Sequence, residues 1–210
     1  MRPLTHAANA AEEILDMEFN LTPIQHSYFA LNRSGKSRNN QSCLVRISKP
    51  RADEHIRSAL HTIVERHSML RARFTMNNVT GRWNQKITSD IAGSYWFSIQ
   101  ETHSNNETSV LISDLAATVK FDITKGPLFS VHVIKQDQEL IFMATSHLII
   151  DIISWNIITR NLEDILTGHR LPGSPVSFQF WARMQEEQSV GKHDAACVLV
   201  QEVPPPDYGE

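Results

Sequence analysis

Residues 139–155 read Glu-Leu-Ile-Phe-Met-Ala-Thr-Ser-His-Leu-Ile-Ile-Asp-Ile-Ile-Ser-Trp, and they decide the fold that the sequence predicts. The first half is a continuous apolar run, which is typical of a buried strand. His147 follows this run, and Asp151 stands four residues later, where a helical pattern begins. A base at a strand end, with a carboxylate one short loop away, is an arrangement that acid–base catalysis can use.

Each of these two residues also has a simpler structural interpretation. A histidine beside an apolar strand is more often a hydrogen-bonded core residue than a catalyst. An aspartate directly before a helix commonly caps its N-terminus, because the carboxylate accepts hydrogen bonds from unpaired backbone N–H groups. From His147 and Asp151 alone, the structural interpretation of each residue would be preferred over the catalytic one.

Outward from this stretch, strands alternate with helices. Residues 129–135 and 140–146 predict a hairpin, and residues 153–167 predict a helix that Gly168 ends. Residues 52–68 form the clearest amphipathic pattern. Further predicted elements are a helix that starts at Thr22-Pro23, a polar loop at 32–41, strands at 43–48, 70–76, 82–88 and 95–100, and helices at 109–120 and 178–188. This order predicts the α/β (α+β) class, built as a two-layer sandwich.

Length and composition exclude several classes of function. The chain has 210 residues, enough for one domain or two small ones, and its net charge of −3 gives no electrostatic reason to bind nucleic acid. Cys43 and Cys197 match no disulfide or metal pattern, and the histidines form no ligand set, so no metal is expected. The N-terminus lacks the apolar core of a signal peptide, and no apolar run is long enough to span a membrane. We therefore expect a soluble, cytoplasmic protein without a membrane partner.

Four segments, in order, resemble the motifs of the condensation superfamily of nonribosomal peptide synthetases, which includes condensation and epimerisation domains. Residues 146–152 resemble its His-His-x-x-x-Asp-Gly motif, with Ser146 in place of the first histidine and Ile152 in place of the glycine. The others are residues 21–25, similar to Leu-Ser-Pro-x-Gln, residues 66–71, similar to Arg-His-x-x-Leu-Arg, and residues 121–128, similar to Phe-Asp-Leu-x-x-Gly-Pro-Leu. A single match would be weak, but four in the order of the family are specific.

This resemblance implies a chloramphenicol-acetyltransferase-like subdomain, which is half of the V-shaped fold of a condensation domain. We therefore expect a leader or linker at residues 1–18 and an N-terminal subdomain at 19–188. Residues 189–210 are expected to be a linker towards a second subdomain that this chain lacks. In the family, the substrate tunnel runs between the two subdomains, so the chain would carry one wall of it.

The resemblance also implies the chemistry. His147 corresponds to the active-site histidine of the family, which lies beside an acceptor amine and either takes its proton or orients it for attack on a donor thioester. Substrates arrive on the phosphopantetheine arms of carrier domains. Carrier domains and the second subdomain are therefore the expected partners, and no directly bound cofactor is expected. In epimerisation domains the same histidine helps to move the proton at the α-carbon, and residues 151–155 and 161–164 resemble that branch.

A chain with one tunnel wall also fits a second class of function. It would then be a truncated, non-catalytic remnant, or a module whose concave face binds a carrier domain or another subunit. A stand-alone trimeric acyltransferase of the chloramphenicol type fits less well, because those enzymes carry the catalytic histidine late in the chain.

The other site residues are expected to support the histidine or to line the tunnel. In the family, the aspartate that matches Asp151 is structural and pairs with the arginine that matches Arg71. An Arg71–Asp151 ion pair is therefore expected, and breaking it in a partly buried setting would cost roughly 3–5 kcal/mol. Ser146 is a supporting position that can still form hydrogen bonds. Ile152 and Ser154 are expected on the tunnel lining, where the bulk of the isoleucine would narrow the tunnel.

Overall fold

The computed structural model of the chain describes residues 13–35 and 39–190. Seven strands and five helices lie in these residues. The strands are β1 (Phe19–Asn20), β2 (Asn40–Ile47), β3 (Ala72–Met76), β4 (Trp83–Ile87), β5 (Tyr95–Glu101), β6 (Phe129–Lys135) and β7 (Glu139–Ser146). The helices are α1 (Pro23–Leu31), α2 (Asp53–Arg66), α3 (Asn105–Thr118), α4 (Ile152–Thr167) and α5 (Phe178–Val190).

The larger sheet has four strands in the order β2–β7–β6–β5. β7 pairs antiparallel with β2 on one side and with β6 on the other, so the predicted β6–β7 hairpin is confirmed. β5 runs parallel to β6, and α3 lies in the crossover that a parallel pair requires. This order places β2 at the sheet edge, beside the strand that leads into His147.

The two faces of this sheet bury different side chains, because successive residues of a strand point to opposite faces. Ile141 and Met143 belong to the main core, together with buried side chains of α2 and α4. Phe142 and Ala144 face the other way, where half-buried side chains of α3 pack against them. The mixed α/β class is therefore confirmed, with α2 and α4 over the main core and α3 on the second face.

A smaller antiparallel sheet has the order β1–β4–β3. α1 begins beside it, with Pro23 in the first turn, so the predicted helix start is confirmed. The backbone N–H of Thr22 donates to Oε1 of Gln25 (2.9 Å), and the amides of Gln25 and Gln85 are hydrogen-bonded to each other. These bonds fix α1 against the small sheet.

Several element boundaries differ from the sequence prediction. β2 begins at Asn40, within the predicted polar loop, because its first residues are polar and give no apolar alternation. Ser68–Arg71 is a 3-10 turn where the sequence predicts the start of a strand. α3 begins earlier than predicted, at Asn105, where the hydroxyl of Ser104 accepts a hydrogen bond from the backbone N–H of Glu107 (3.2 Å).

The predicted leader and linker are described only in part. Residues 13–18 of the leader contact the folded unit: the N–H of Asp16 donates to the carbonyl of Ile87 (2.7 Å), and Glu18 accepts from Thr75 (2.7 Å). Residues 1–12 and 191–210 lie outside the described residues, and the domain boundaries stay predictions. In the described part of the chain, every helix is too short or too polar to cross a bilayer.

Candidate active site

His147 lies at the end of β7, on a loop that the core holds in place. The three residues that follow it, Leu148, Ile149 and Ile150, are 7%, 8% and 5% exposed, and all three belong to the main core. The backbone N–H of Ile149 donates to the carbonyl of Ser146 (3.1 Å), which closes a turn. The apolar residues of the motif therefore anchor the loop, while the imidazole itself is exposed.

Hydrogen bonds fix the tautomer of His147. Nδ1 lies 2.7 Å from the carbonyl oxygen of Ile150, which can only accept, so Nδ1 carries the proton of the neutral ring. Nε2 then presents a lone pair, which the side-chain amide of Gln41 approaches to 3.4 Å. The backbone N–H of His147 donates to the carbonyl of Asn39 (2.8 Å). A neutral imidazole held in this way can accept a proton at Nε2.

Asp151 caps α4. Its backbone is extended, with φ −130° and ψ −179°. Oδ1 accepts hydrogen bonds from the hydroxyl and from the backbone N–H of Ser154, both at 2.7 Å. These bonds, the hydroxyl bond first, lower the pKa of the Asp151 carboxyl below its ordinary value. The carboxylate is therefore engaged at the helix N-terminus, as the simpler interpretation predicts.

The expected ion pair between Arg71 and Asp151 is wrong. Nη1 of Arg71 donates to the carbonyls of Val64 (2.8 Å) and Glu65 (2.5 Å), and Nε donates to the carbonyl of Thr88 (3.0 Å). The salt bridges among the described residues include neither Arg71 nor Asp151. The physical reason is that α2 ends with unpaired carbonyls, and the buried guanidinium satisfies them.

The side chains of Arg71 and Ser146 both form hydrogen bonds with backbone groups. Burial lowers the pKa of Arg71, while Glu13 and Glu65 act in the opposite direction, and a guanidinium stays charged in proteins. Ser146 is 4% exposed, and its hydroxyl accepts a long hydrogen bond from the N–H of Leu148 (3.4 Å). The supporting role of both residues for the histidine stays a prediction.

The imidazole of His147 lines a groove of about 390 Å³. The groove lies between the loop of residues 147–151, α1 and α5, and its other large side chains are Ile24, Tyr28, Leu31, Met69, Phe178 and Trp181. A smaller groove of about 200 Å³ shares Met69, Ile149, Ile150, Ser154 and Phe178 with it. Ser154 thus lines the groove, whereas Ile152 is 70% exposed and is absent from the described lining.

The groove carries little charge. Asp151 is the one carboxylate and His147 the one basic side chain among its described lining residues. Within residues 13–35 and 39–190, no group of three or more His, Cys, Asp or Glu side chains could hold a metal ion. The surface therefore suits a neutral, partly apolar ligand that meets a single base.

Sequence reasoning misses the neighbours of His147 on β2, because it places Gln41 in a loop. In the structure Gln41 is opposite Thr145 across β2 and β7, so its side chain lies diagonally from the histidine. Only the register of the two strands reveals this contact, and a polar edge strand gives no signal that fixes the register.

Comparison with known proteins identifies a family. The family model described as "Condensation domain" matches residues 16–196. Nonribosomal peptide synthetase atnA of Emericella nidulans is 35% identical over 185 residues, and nonribosomal peptide synthetase 4 of Gibberella zeae is 38% identical over 183 residues. These matches cover 87% and 85% of this chain but 2% of each relative, so the chain spans a small part of their length.

Solved structures of low sequence identity share the fold. The epimerization domain from the third module of tyrocidine synthetase B has a TM-score of 0.70 at 22% identity, over 95% of this chain and 49% of that one. The condensation domain of the Monacolin K polyketide synthase MokA has a TM-score of 0.78 at 16% identity, over 90% of this chain and 45% of that one. The fold is thus that of about half a chloramphenicol-acetyltransferase-like condensation domain structure. With four motifs in order, this fold and the match over residues 16–196, the chain belongs to the condensation domain family.

Proposed function

We propose that this chain is the histidine-bearing N-terminal part of a condensation-type domain that acts on aminoacyl or peptidyl thioesters. The acceptor amine attacks the thioester carbonyl, the C–N bond of an amide forms, and the C–S bond breaks. Nε2 of His147 takes the proton that the amine loses and returns it to the departing thiolate. The observation that carries the proposal is the hydrogen bond from Nδ1 to the carbonyl of Ile150, which leaves Nε2 unprotonated.

Epimerisation is the other reaction that the same histidine can perform. Inverting an α-carbon requires a group that removes the proton and a second group that delivers one to the opposite face. The only carboxylate that lines the described groove is Asp151, and it caps α4. The described residues thus supply one proton-transfer group, which suffices for amide formation, whereas epimerisation needs a second group from outside the described residues.

A second subdomain would complete the groove. Ile24 and Leu31 line it and are nevertheless 77% and 87% exposed. Exposed apolar side chains grouped around a polar centre mark an interaction surface. Because the chain matches 45–49% of the solved domains, the remaining half is the natural partner for this face.

Carrier domains would deliver the substrates on phosphopantetheine arms. A pantetheine arm is long, neutral and partly apolar, and it matches a groove whose described lining has no lysine or arginine. The phosphate at the start of the arm would stay outside the groove. This chain therefore needs no cofactor of its own, because the reactive thioester is part of the substrate.

The non-catalytic module is the second candidate. The observation that favours it is the exposure of Ile24 and Leu31 beside the groove. These apolar side chains would bind a carrier domain or another subunit even if no reaction followed. In that case His147 would contribute to binding only, and its tautomer would have no kinetic consequence.

One assay separates these functions. The chain is tested alone and joined to the second subdomain of a condensation domain from one of its relatives. Donor and acceptor substrates are loaded on carrier domains, and products are analysed by mass spectrometry and chiral chromatography. Amide from the joined form alone supports the proposal, and an inverted α-carbon assigns epimerisation. If the joined form binds carrier domains but forms no product, the result would support the non-catalytic module and contradict the proposal.

A further inference from the structure

Gln41 faces the histidine from the neighbouring strand. It is paired with Thr145 of β7, and residues two apart along a strand point to the same face. The side chain of Gln41 is therefore the diagonal neighbour of His147, and its Nε2 atom lies 3.4 Å from Nε2 of the ring. At this length the contact is a weak hydrogen bond.

The tautomer of the ring determines which end of the amide faces it. The carbonyl of Ile150 keeps the proton on Nδ1, so Nε2 of His147 accepts and the facing group of Gln41 donates. The other end of the amide, Oε1 of Gln41, is buried and has no hydrogen-bond partner among the described residues. A buried acceptor without a donor is uncommon in native proteins and needs an explanation.

We infer that Gln41 is a positioning residue that serves both protonation states of His147, an inference that rests on the proposed role of the histidine. While the ring is neutral, the NH₂ group of Gln41 donates to Nε2 and holds the ring in place. Once Nε2 has taken the proton of the acceptor amine, it becomes a donor. A half-turn of the amide about its last side-chain bond then presents Oε1, which accepts this N–H.

The unpartnered oxygen makes the half-turn feasible. Oε1 gives up no hydrogen bond when it leaves its buried position, and only the 3.4 Å contact is broken. The same weak contact lets an incoming amine displace the amide from Nε2. A partner of this kind stabilises the protonated ring more than the neutral ring, which is the difference that accelerates a proton transfer.

Nitrogen-15 NMR of histidine-labelled chain tests the contact without any need for activity. In the 210-residue chain, His147 should show a protonated Nδ1 and a hydrogen-bonded, unprotonated Nε2. Gln41→Leu should shift the Nε2 resonance to that of a free lone pair. Gln41→Glu should protonate both nitrogens at a pH at which the natural chain carries the proton on Nδ1 alone. Gln138→Leu, the same change at an exposed side chain in the β6–β7 turn, is the matched control.

Kinetics of the joined form test the consequence. Gln41→Leu should lower kcat by about tenfold to a hundredfold, the worth of one hydrogen bond to a charged group, with KM unchanged. Gln138→Leu should leave both constants unchanged. Unaltered His147 resonances in Gln41→Leu, or an unaltered kcat, would overturn the inference. Full activity of His147→Ala would overturn the proposed function instead, and the NMR result would still decide whether Gln41 holds the ring.

Discussion

Nδ1 of His147 lies 2.7 Å from the carbonyl oxygen of Ile150, and the side chain of Ile150 is packed in the main core. The burial of the Ile150 side chain therefore holds in place the carbonyl that binds the ring of His147, three residues earlier in the chain. Hydrophobic packing in this way sets the tautomer and the orientation of the ring that carries the proposed chemistry.

Ile150→Ala should destabilise the chain and loosen the loop. The side chain is 5% exposed, and truncating a buried isoleucine lowers the free energy of unfolding by about 2–5 kcal/mol. Ile152→Ala is the matched control, because the same change at a side chain that is 70% exposed should cost less than about 0.5 kcal/mol. Denaturant unfolding followed by circular dichroism measures both. Equal losses at the two positions would contradict an anchored loop.

Arg71 and Asp151 should contribute to stability independently. Arg71→Met leaves three backbone carbonyls without a charged donor, and we expect a loss of roughly 3 kcal/mol in the free energy of unfolding. Asp151→Asn should cost less than about 0.5 kcal/mol, because asparagine caps a helix as well as aspartate does. In the double mutant the two losses should add. A coupling energy above about 1 kcal/mol between the two substitutions would instead indicate that Arg71 and Asp151 form an ion pair.

His67 should make stability depend on pH. Burial, and then the charge of Arg66, lower the pKa of His67 from 6.5 to about 4, and Nε2 of the neutral ring lies 2.9 Å from the amide of Asn161. The unfolded chain therefore binds the extra proton between pH 6.5 and about 4, and the folded chain does not. The free energy of unfolding should rise with pH across this window, by on the order of 2 kcal/mol after allowance for partial exposure.

His67→Gln is the variant that tests this dependence. Glutamine does not titrate, so the slope of stability against pH between 4 and 6.5 should flatten. His61→Gln, on the exposed side of α2, should keep the slope of the natural chain. An unchanged slope in His67→Gln would show that another group is responsible.

Gly126 should tolerate no side chain. Its φ is +72°, and an added Cβ would clash with the guanidinium of Arg73, whose Nε donates to the carbonyl of Lys125 (2.9 Å). Gly81 has a similar φ of +65° but meets no described atom within 4 Å, so Gly81→Ala reports the backbone strain alone, about 1–2 kcal/mol. Gly126→Ala should cost about 2 kcal/mol more, because the guanidinium must move. Equal melting temperatures for the two variants would contradict this packing.

The elements that were predicted correctly are those whose pattern is strong and local. The apolar run before His147 gives β7, and Gly168, with φ 79°, ends α4 where the sequence predicts. The elements that were missed depend on tertiary pairing. β2 has polar residues at its start, and its extension to Asn40 follows from pairing with β7 rather than from its own pattern.

The candidate site was predicted only in part, because some of its contacts are local and others depend on tertiary pairing. The motif selects His147 and Asp151, and the local capping rule describes Asp151 correctly. The predicted partner of Arg71, Asp151, was wrong. The guanidinium instead donates to carbonyls at the end of α2, and this contact depends on the tertiary fold. Gln41 was missed because cross-strand neighbours are invisible until the register is known.

The rate of product formation by the joined form, with and without His147, shows whether this histidine transfers the proton of the acceptor amine. Carrier-loaded donor and acceptor are mixed with the chain joined to a second subdomain, and single-turnover formation of amide is followed. His147→Ala should lower the rate by about 10² to 10⁴, the usual worth of a proton-transfer group, while Gln138→Leu leaves it unchanged. A His147→Ala variant that forms amide at the rate of the natural chain would contradict the account.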